Sequence, residues 1–333
     1  MLIVRAPVRI SFGGGGSDLP AYYENHGGIV VSTTINKYIY VMVREGSFGG
    51  VQIISADYRQ FDRLDPLGRD WCWGSDLALP RAVLRRFGIT KGIDIFLASE
   101  IPPGTGLGSS GAVAVAMIKA LSEWTGQEMS RDEIAELACQ IEIEDMCMPV
   151  GKQDQYAATY GGLNTILFSR DSTKVIPVEC SRYMRETLES HLLLFFTGHS
   201  RKSSTILHKQ RESSGQDGSV TVKAIGELKD VAVRMLGFLR DGVTFDYFGQ
   251  LLHEAWEYKK LMASGITTPG IDIIYDLART LGALGGKITG AGGGGHLMLF
   301  ASPVHHPTIT GALEDVGLRR LHFKFDMEGV KVC

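Results

Sequence analysis

The chain has 333 residues, more than one hydrophobic core usually supports, so two domains sharing a cleft are expected. Apolar residues supply 44% and charged residues 21%, the balance of a globular chain and not of a disordered one. A net charge of −3 gives no global basic field for nucleic acid or an anionic membrane, so an anionic ligand must be held by local features.

The opening MLIVRAPVRISF carries Arg5 and Arg9 inside its apolar stretch, so it reads as a strand over 2–8 and not as a signal peptide. Further β-branched runs predict strands at 29–34, 38–43, 51–55 and 93–98, with a helix at 76–87. A glycine-rich turn follows. It opens a helix over 109–124 that Gly126 stops. The apolar run 111–121 is too short to span a bilayer and contains Lys119. Ser130 with Glu133 makes a capping box, and Ile134, Leu137, Ala138 and Ile141 then share one helical face until Pro149. Beyond Gly161–Gly162, strands are expected at 163–168, 192–196 and 297–300, and helices at 203–211, 220–239, 245–262 and 271–281. The polar stretch 211–219 reads as a loop. A boundary near 175 divides the chain into domains 1–175 and 176–333.

The five cysteines, Cys72, Cys139, Cys147, Cys180 and Cys333, are odd in number and form no C-x-x-C pair. That argues against a disulfide framework or a zinc site and for the cytoplasm. The nine histidines show no metal-ligand spacing, and His253 and His296 read as ordinary helix and strand residues. The tryptophans at 71, 73 and 124 fit either a core or the surroundings of an adenine.

The segment P-P-G-T-G-L-G-S-S-G-A, from Pro102 to Ala112, is the most informative stretch. The first-turn N–H groups of a helix lack intrahelical partners and sit at the positive end of its dipole. Glycines let the preceding backbone approach an anion closely, and Ser109 and Ser110 add hydroxyls, so the segment is a phosphate cradle. Residues 106–111 also fit G-x-G-x-x-G, but no acidic residue ends a next strand about twenty residues on, as a dinucleotide site needs. There is no Walker A motif. A glycine-rich helix start that only packs closely is the bland alternative.

With that turn the sequence resembles the GHMP kinases, a superfamily that includes galactokinase, homoserine kinase and mevalonate kinase. Its first motif is matched by R-A-P-V-R-I-S-F-G-G-G-G-S-D (5–18), its second by the turn above, and its third by K-I-T-G-A-G-G-G-G-H (287–296). The three occur in the family's order and span nearly the whole chain. The likeness is greatest to the branch that phosphorylates D-glycero-D-manno-heptose 7-phosphate at its anomeric oxygen. The stretches 12–20, 149–158, 161–164, 198–204, 255–260, 266–272 and 285–295 carry it.

The resemblance implies an α+β, two-domain fold, with an N-terminal ribosomal-S5-like domain and a C-terminal ferredoxin-like domain meeting at a cleft. It implies ATP and a small sugar phosphate as ligands, with Mg²⁺. The nucleotide phosphates would lie on Pro103, Gly104, Thr105, Gly106, Leu107, Gly108, Ser109 and Ser110. Asp154 matches the aspartate proposed as base for the acceptor hydroxyl, with a helix N-cap as the alternative. Arg9 would stand beside it and offset charge in the transition state, where a surface strand arginine is the alternative. Glu142, twelve residues before Asp154, would hold magnesium with Ser110, unless it is a solvated helix-face glutamate.

Asp18 matches a residue that binds sugar hydroxyls, and Gly14, Gly15 and Ser17 beside it are expected to contact the acceptor too. Galactokinases have Gly-Glu-His-Thr-Asp where this chain has Gly14, Gly15, Gly16, Ser17 and Asp18. That change removes polar contacts and opens space for a larger sugar, unless the glycines only make a tight turn. Arg201 and Lys152 are candidates for an acceptor phosphate, against an ordinary helix start with a solvated basic face. The glycine run 290–295 is expected to pack beside the phosphate turn. Other readings are a kinase for fucose or another hexose, a non-catalytic binding regulator, and a nicotinamide-dependent oxidoreductase. The sequence does not indicate an oligomeric state.

Overall fold

The computed structural model describes residues 1–46, 49–64, 76–198, 204–242 and 244–333. The first half runs β1 (Leu2–Gly13), α1 (Pro20–His26), β2 (Gly28–Glu45), β3 (Val51–Ser55), β4 (Gln60–Leu64), α2 (Ala78–Arg86) and β5 (Ile93–Ser99). It continues with α3 (Ser109–Thr125), α4 (Arg131–Gln140), a π turn (Ile141–Asp145), α5 (Gln153–Tyr160), β6 (Leu163–Phe168) and β7 (Thr173–Pro177). The second half carries α6 (Arg182–His191), β8 (Leu192–Phe196), α7 (Ser204–Ser214), α8 (Val220–Asp241), α9 (Phe245–Lys260), α10 (Pro269–Thr280), β9 (Ala283–Ile288) and β10 (His296–Ala301). After a short 3-10 turn, α11 (His306–Asp315), β11 (Arg319–Arg320), β12 (Phe325–Asp326) and β13 (Lys331–Val332) follow.

Two sheets result. The larger has nine strands among the described residues, with β13-β1-β2-β5-β3-β4 as its main order; β6 and β12 pair with β2 off this path, and β7 pairs with β6. The smaller is antiparallel in the order β11-β8-β10-β9. Its chain order is strand, helices, strand, strand, helix, strand, which is the ferredoxin-like arrangement. The larger sheet is not confined to the first half of the chain. β7 runs across residue 175, and β12 and β13 return to pair with β2 and β1.

β1 is buried at every position from Ala6 to Gly13, since helices α3, α5, α8 and α9 pack against it. The register against β2 shifts beside Pro7, an irregularity of the kind where a residue without an N–H is tolerated. Two strands were expected at 29–34 and 38–43, but β2 is continuous. Its partners change along its length, from β6 through β12 to β5. The polar Asn36 is satisfied sideways, donating its N–H to Lys324 O at 2.8 Å and accepting from Lys324 N at 2.7 Å.

α3 is almost wholly buried from Gly111 to Ser122, and its alanines let it pass close to both the sheet and neighbouring helices. The capping box of α4 is present as expected, with Ser130 and Glu133 bonding reciprocally. The helix does not run to Pro149, however. Met146 N–H bonds back to Ile141 O at 3.0 Å, so the last turn is a π turn ending at Asp145. The widened turn coincides with Glu142 being fully buried while Glu144 is exposed. Helix α7 reaches Ser214, beyond the expected 211.

Candidate active site

The phosphate turn joins β5 to α3. Its last residue, Gly108, is the N-cap of α3 in the left-handed region (φ 78°) and offers no side-chain cap, so the first-turn amides are left open to a ligand. The turn is held from behind. Thr105 donates its hydroxyl to Pro102 O at 2.9 Å, His296 Nδ1 donates to Thr105 O at 3.0 Å, and Arg9 N donates to Leu107 O at 2.9 Å. Thr105 and Leu107 are fully buried and do not line the cleft, so they hold the turn's shape and are not among the residues it presents to a ligand. The glycine run 290–295 lies against this turn as expected. A Cβ on Gly106 would stand 2.5 Å from Thr289 O, and one on Gly290 would stand 2.5 Å from Gly106 Cα.

A cleft of about 210 Å³ opens beside the turn, lined by Gly104, Gly106, Gly108, Ser109 and Ser110. On its floor Arg9 Nη2 pairs with Asp154 Oδ1 at 2.6 Å, and Arg9 Nη1 donates to Gly106 O at 2.8 Å. Asp154 lies so near the turn that a Cβ on Gly108 would come within 3.0 Å of its Cγ. Arg9 is therefore a buried partner of Asp154 and not a surface strand residue.

Glu142 and Ser110 also meet. Ser110 donates its hydroxyl to Glu142 Oε1, and Gln155 Nε2 donates to Oε2. Burial pushes the Glu142 carboxyl up to about 7, assisted by the charge of Asp154 and opposed by the two hydrogen bonds. It is not a solvated helix-face residue. A buried carboxyl and a hydroxyl beside a phosphate cradle fit a divalent cation that takes its remaining ligands from phosphate and water. Among the described residues no group of three or more His, Cys, Asp or Glu could hold a metal unaided.

Asp18, expected on the acceptor side, is buried and accepts from Gly16 N at 2.9 Å and Gln153 Nε2 at 3.0 Å. Burial and then the Asp154 charge raise its pKa. Gly15 and Gly16 line the cleft beside it. The space at Gly15 is open, its nearest neighbours standing 3.9 Å from a Cβ built there.

Three expected acceptor contacts need correction. Gly14 packs on Ile29 behind the cleft. Ser17 is fully buried, donating to Gly14 O at 2.7 Å and accepting from Ile29 N at 3.1 Å, so its hydroxyl fastens the turn. Lys152 points the other way, donating to both oxygens of Glu136 at 2.8 and 3.0 Å, where the Tyr156 hydroxyl joins them. Arg201 lies outside the described residues, as do Trp71 and Trp73. Trp124 stands at the far end of α3 from the turn.

Among the cleft residues that sequence reasoning passed over are Ser11, Gln153, Lys259 and Lys287. Ser11 Oγ and Gln153 Oε1 are buried without a hydrogen-bond partner. Lys259 donates to Ile288 O at 2.8 Å and Gly290 O at 2.6 Å, and Lys287 to Phe12 O at 2.8 Å. Burial and then the Arg9 charge hold the Lys259 ammonium down to about 7, with Asp18 acting in the opposite sense. Burial pushes Lys287 down as well, with Lys259 and Arg9 adding to it. A lysine at a core position of the strand A-L-G-G-K-I is the signal that could have singled out Lys287.

A second, mainly apolar cavity of about 240 Å³ shares Gly104, Ser109 and Ser110 with the cleft. Pro103, Leu79, Val113 and Met148 line it, with Asp57 and Tyr58 at its polar edge.

Comparison with known proteins agrees with this geometry. Residues 77–162 match the GHMP kinases N terminal domain, and residues 243–316 match GHMP kinases C terminal. The D-glycero-alpha-D-manno-heptose 7-phosphate kinase of Campylobacter jejuni is 30% identical, covering 98% of this chain and 97% of its own. The L-fucokinase/L-fucose-1-P guanylyltransferase of Bacteroides fragilis is 28% identical over 89% of this chain but only 34% of its own length. The crystal structure of a D-glycero-D-manno-heptose 1-phosphate kinase from Bacteroides thetaiotaomicron superposes with a TM-score of 0.80 at 28% identity, covering 100% of this chain and 99% of that one. With the phosphate turn, the packed third glycine run and the two-sheet architecture all present, this chain belongs to the GHMP kinase family and is an ATP-dependent phosphotransferase.

Proposed function

We propose that this kinase transfers the γ-phosphoryl group of ATP to the anomeric O1 of D-glycero-D-manno-heptose 7-phosphate, giving the 1,7-bisphosphate. The contact of Asp154 with both Arg9 and Gly108 carries this reading. It puts one carboxylate next to the amides that would hold the phosphates and beside an open cleft that would take the sugar.

In this reading the triphosphate lies on the backbone of 104–111 and the nucleoside enters the apolar cavity. Asp18, Gly15 and Gly16 border the sugar. Asp154 orients the acceptor O–H and receives its proton, while Arg9, pinned by Gly106 O, offsets charge on the phosphoryl group as it transfers. Ser110 and Glu142 would hold Mg²⁺, which would supply charge neutralisation on the phosphate oxygens. The relative from Campylobacter jejuni and the open space at Gly15 support a heptose phosphate over a hexose. Among the described residues no helix is long and apolar enough to cross a membrane, and Cys139, Cys147, Cys180 and Cys333 are free. We place the enzyme's work in the cytoplasm.

The test is an ADP-release assay with heptose 7-phosphate, free heptose, fucose, galactose and mevalonate, with the product identified by NMR. A phosphorylated C1 on heptose 7-phosphate is expected, with the highest kcat/KM of the panel. Preferred turnover of fucose would replace the heptose reading with a fucokinase reading.

A further inference from the structure

We infer that Lys259 and Lys287, together with Ser11, form a seat for phosphate oxygens where the two domains meet. The inference rests on the reading of the cleft as a phosphoryl-transfer site and adds a recognition element to it. Lys259 closes α9 and Lys287 lies in β9, at 8% and 4% exposure, and both line the cleft. An ammonium has three N–H donors. Lys259 spends two on Ile288 O and Gly290 O, and Lys287 spends one on Phe12 O. Neither has a carboxylate within ion-pair distance among the described residues, and all the contacts found for them are to carbonyl oxygens.

Burial among carbonyl oxygens disfavours the charged form of both amines, and an arriving anion would favour it. The nearby guanidinium does not relieve them, because Arg9 is positive and already paired with Asp154. Ser11 supplies an independent sign. Its hydroxyl is buried in the same cleft, has no partner, and precedes Phe12, whose carbonyl holds Lys287. Two lysine heads, charged once an anion joins them and with donors to spare, and one free hydroxyl suit a tetrahedral anion with several acceptor oxygens. The phosphate can come from the γ position of ATP or from the acceptor itself. Lys259 is bonded to the glycine run that touches the phosphate turn, and Lys287 to the strand that leads to Gly15 and Asp18, so the seat spans both approaches.

The experiment compares wild type with Lys259→Met and Lys287→Met, which keep side-chain length and remove charge. Isothermal titration calorimetry measures binding of heptose 7-phosphate, free heptose, a non-hydrolysable ATP analogue and inorganic phosphate. Affinity for at least one phosphate-bearing ligand should fall about tenfold or more, as the loss of a charged hydrogen bond implies, while heptose binding stays within about twofold. A loss confined to heptose 7-phosphate assigns the seat to the acceptor, and one confined to the analogue assigns it to the γ-phosphate. Unchanged binding of every phosphate-bearing ligand, or equal losses on heptose and heptose 7-phosphate, overturns the proposal.

If the variants do not fold, ¹⁵N-lysine NMR of the wild-type chain asks the same question. The buried ammonium signals should move on addition of inorganic phosphate or the ATP analogue, and unmoved signals overturn the seat. These two probes contain no sugar. A chain that binds them at the lysines yet phosphorylates no heptose keeps the seat and loses only the proposed acceptor.

Discussion

At the scale of single residues, the site concentrates charge where solvent is scarce. Asp154 faces the cleft, and its carboxylate cannot shift far between Arg9 and the phosphate turn. Asp154→Asn keeps the size of the side chain and removes the proton acceptor. It should lower kcat by roughly 10²–10⁴-fold with ATP affinity nearly unchanged. Near-normal turnover in a steady-state assay would remove Asp154 from that role.

Glu142 makes a prediction about stability. Its folded value of about 7 lies above the ordinary carboxylate range, so the folded chain keeps a proton that the unfolded chain releases. Folding stability should therefore fall as pH rises from the ordinary glutamate value towards 7, and level off above that. Glu142→Gln has no such dependence. In urea titrations without ATP or divalent cations, its stability relative to wild type should rise by about 2–4 kcal/mol between pH 5 and 8. A difference that stays flat with pH would mean the buried carboxyl is ionised throughout.

At the scale of elements, glycine is used for contact. The phosphate turn and the third glycine run touch backbone to backbone at Gly106 and Gly290, and both have positive φ. Gly106→Ala would drive a methyl group into Thr289 O, so the two elements must part. KM for ATP should rise about tenfold or more, with a lowered Tm. Gly237→Ala is the matched control. That glycine is exposed in α8 with nothing near its Cβ position, so the substitution should stabilise by about 0.4–1 kcal/mol and leave ATP kinetics alone.

The same elements show what a sequence can convey. The phosphate turn, α3 and the capping box were legible because their signals are local: glycine before a helix, and serine three residues before glutamate. The meeting of Glu142 with Ser110 was legible only through family spacing, since no local rule foretells a π turn. Lys259 read as one lysine of a helix end and Lys287 as one residue of a motif, because only chain closure brings them to Arg9. The two-residue strands β11, β12 and β13 were missed for the same reason, their pairing being entirely long-range. Ser17 and Lys152 were misassigned because sequence gives the position of a residue but not its direction, and their partners Ile29 and Glu136 lie on the side away from the cleft.

At the scale of the molecule, the two halves are interlocked. α8 and α9 cover β1, and Lys287 bonds to Phe12 across the join. We therefore propose 1–175 and 176–333 as functional domains and not as independent folding units. Calorimetry of the full chain should give one cooperative transition. The fragment 1–175 should show none, because it lacks β12, β13 and two of the helices that cover β1, α8 and α9. A fragment with its own sharp transition and near-UV signal would refute this.

The pairing of Val4 with Val332 and of Ile35 with Phe325 has a consequence for biosynthesis. A ribosome makes β1 long before it makes β13. During that interval the edge of β1 destined for β13 is an open row of amides and carbonyls, a template for adhesion to other nascent chains. Trigger-type chaperones that shelter emerging polypeptides would matter more for the yield of this enzyme than for one whose sheet closes early.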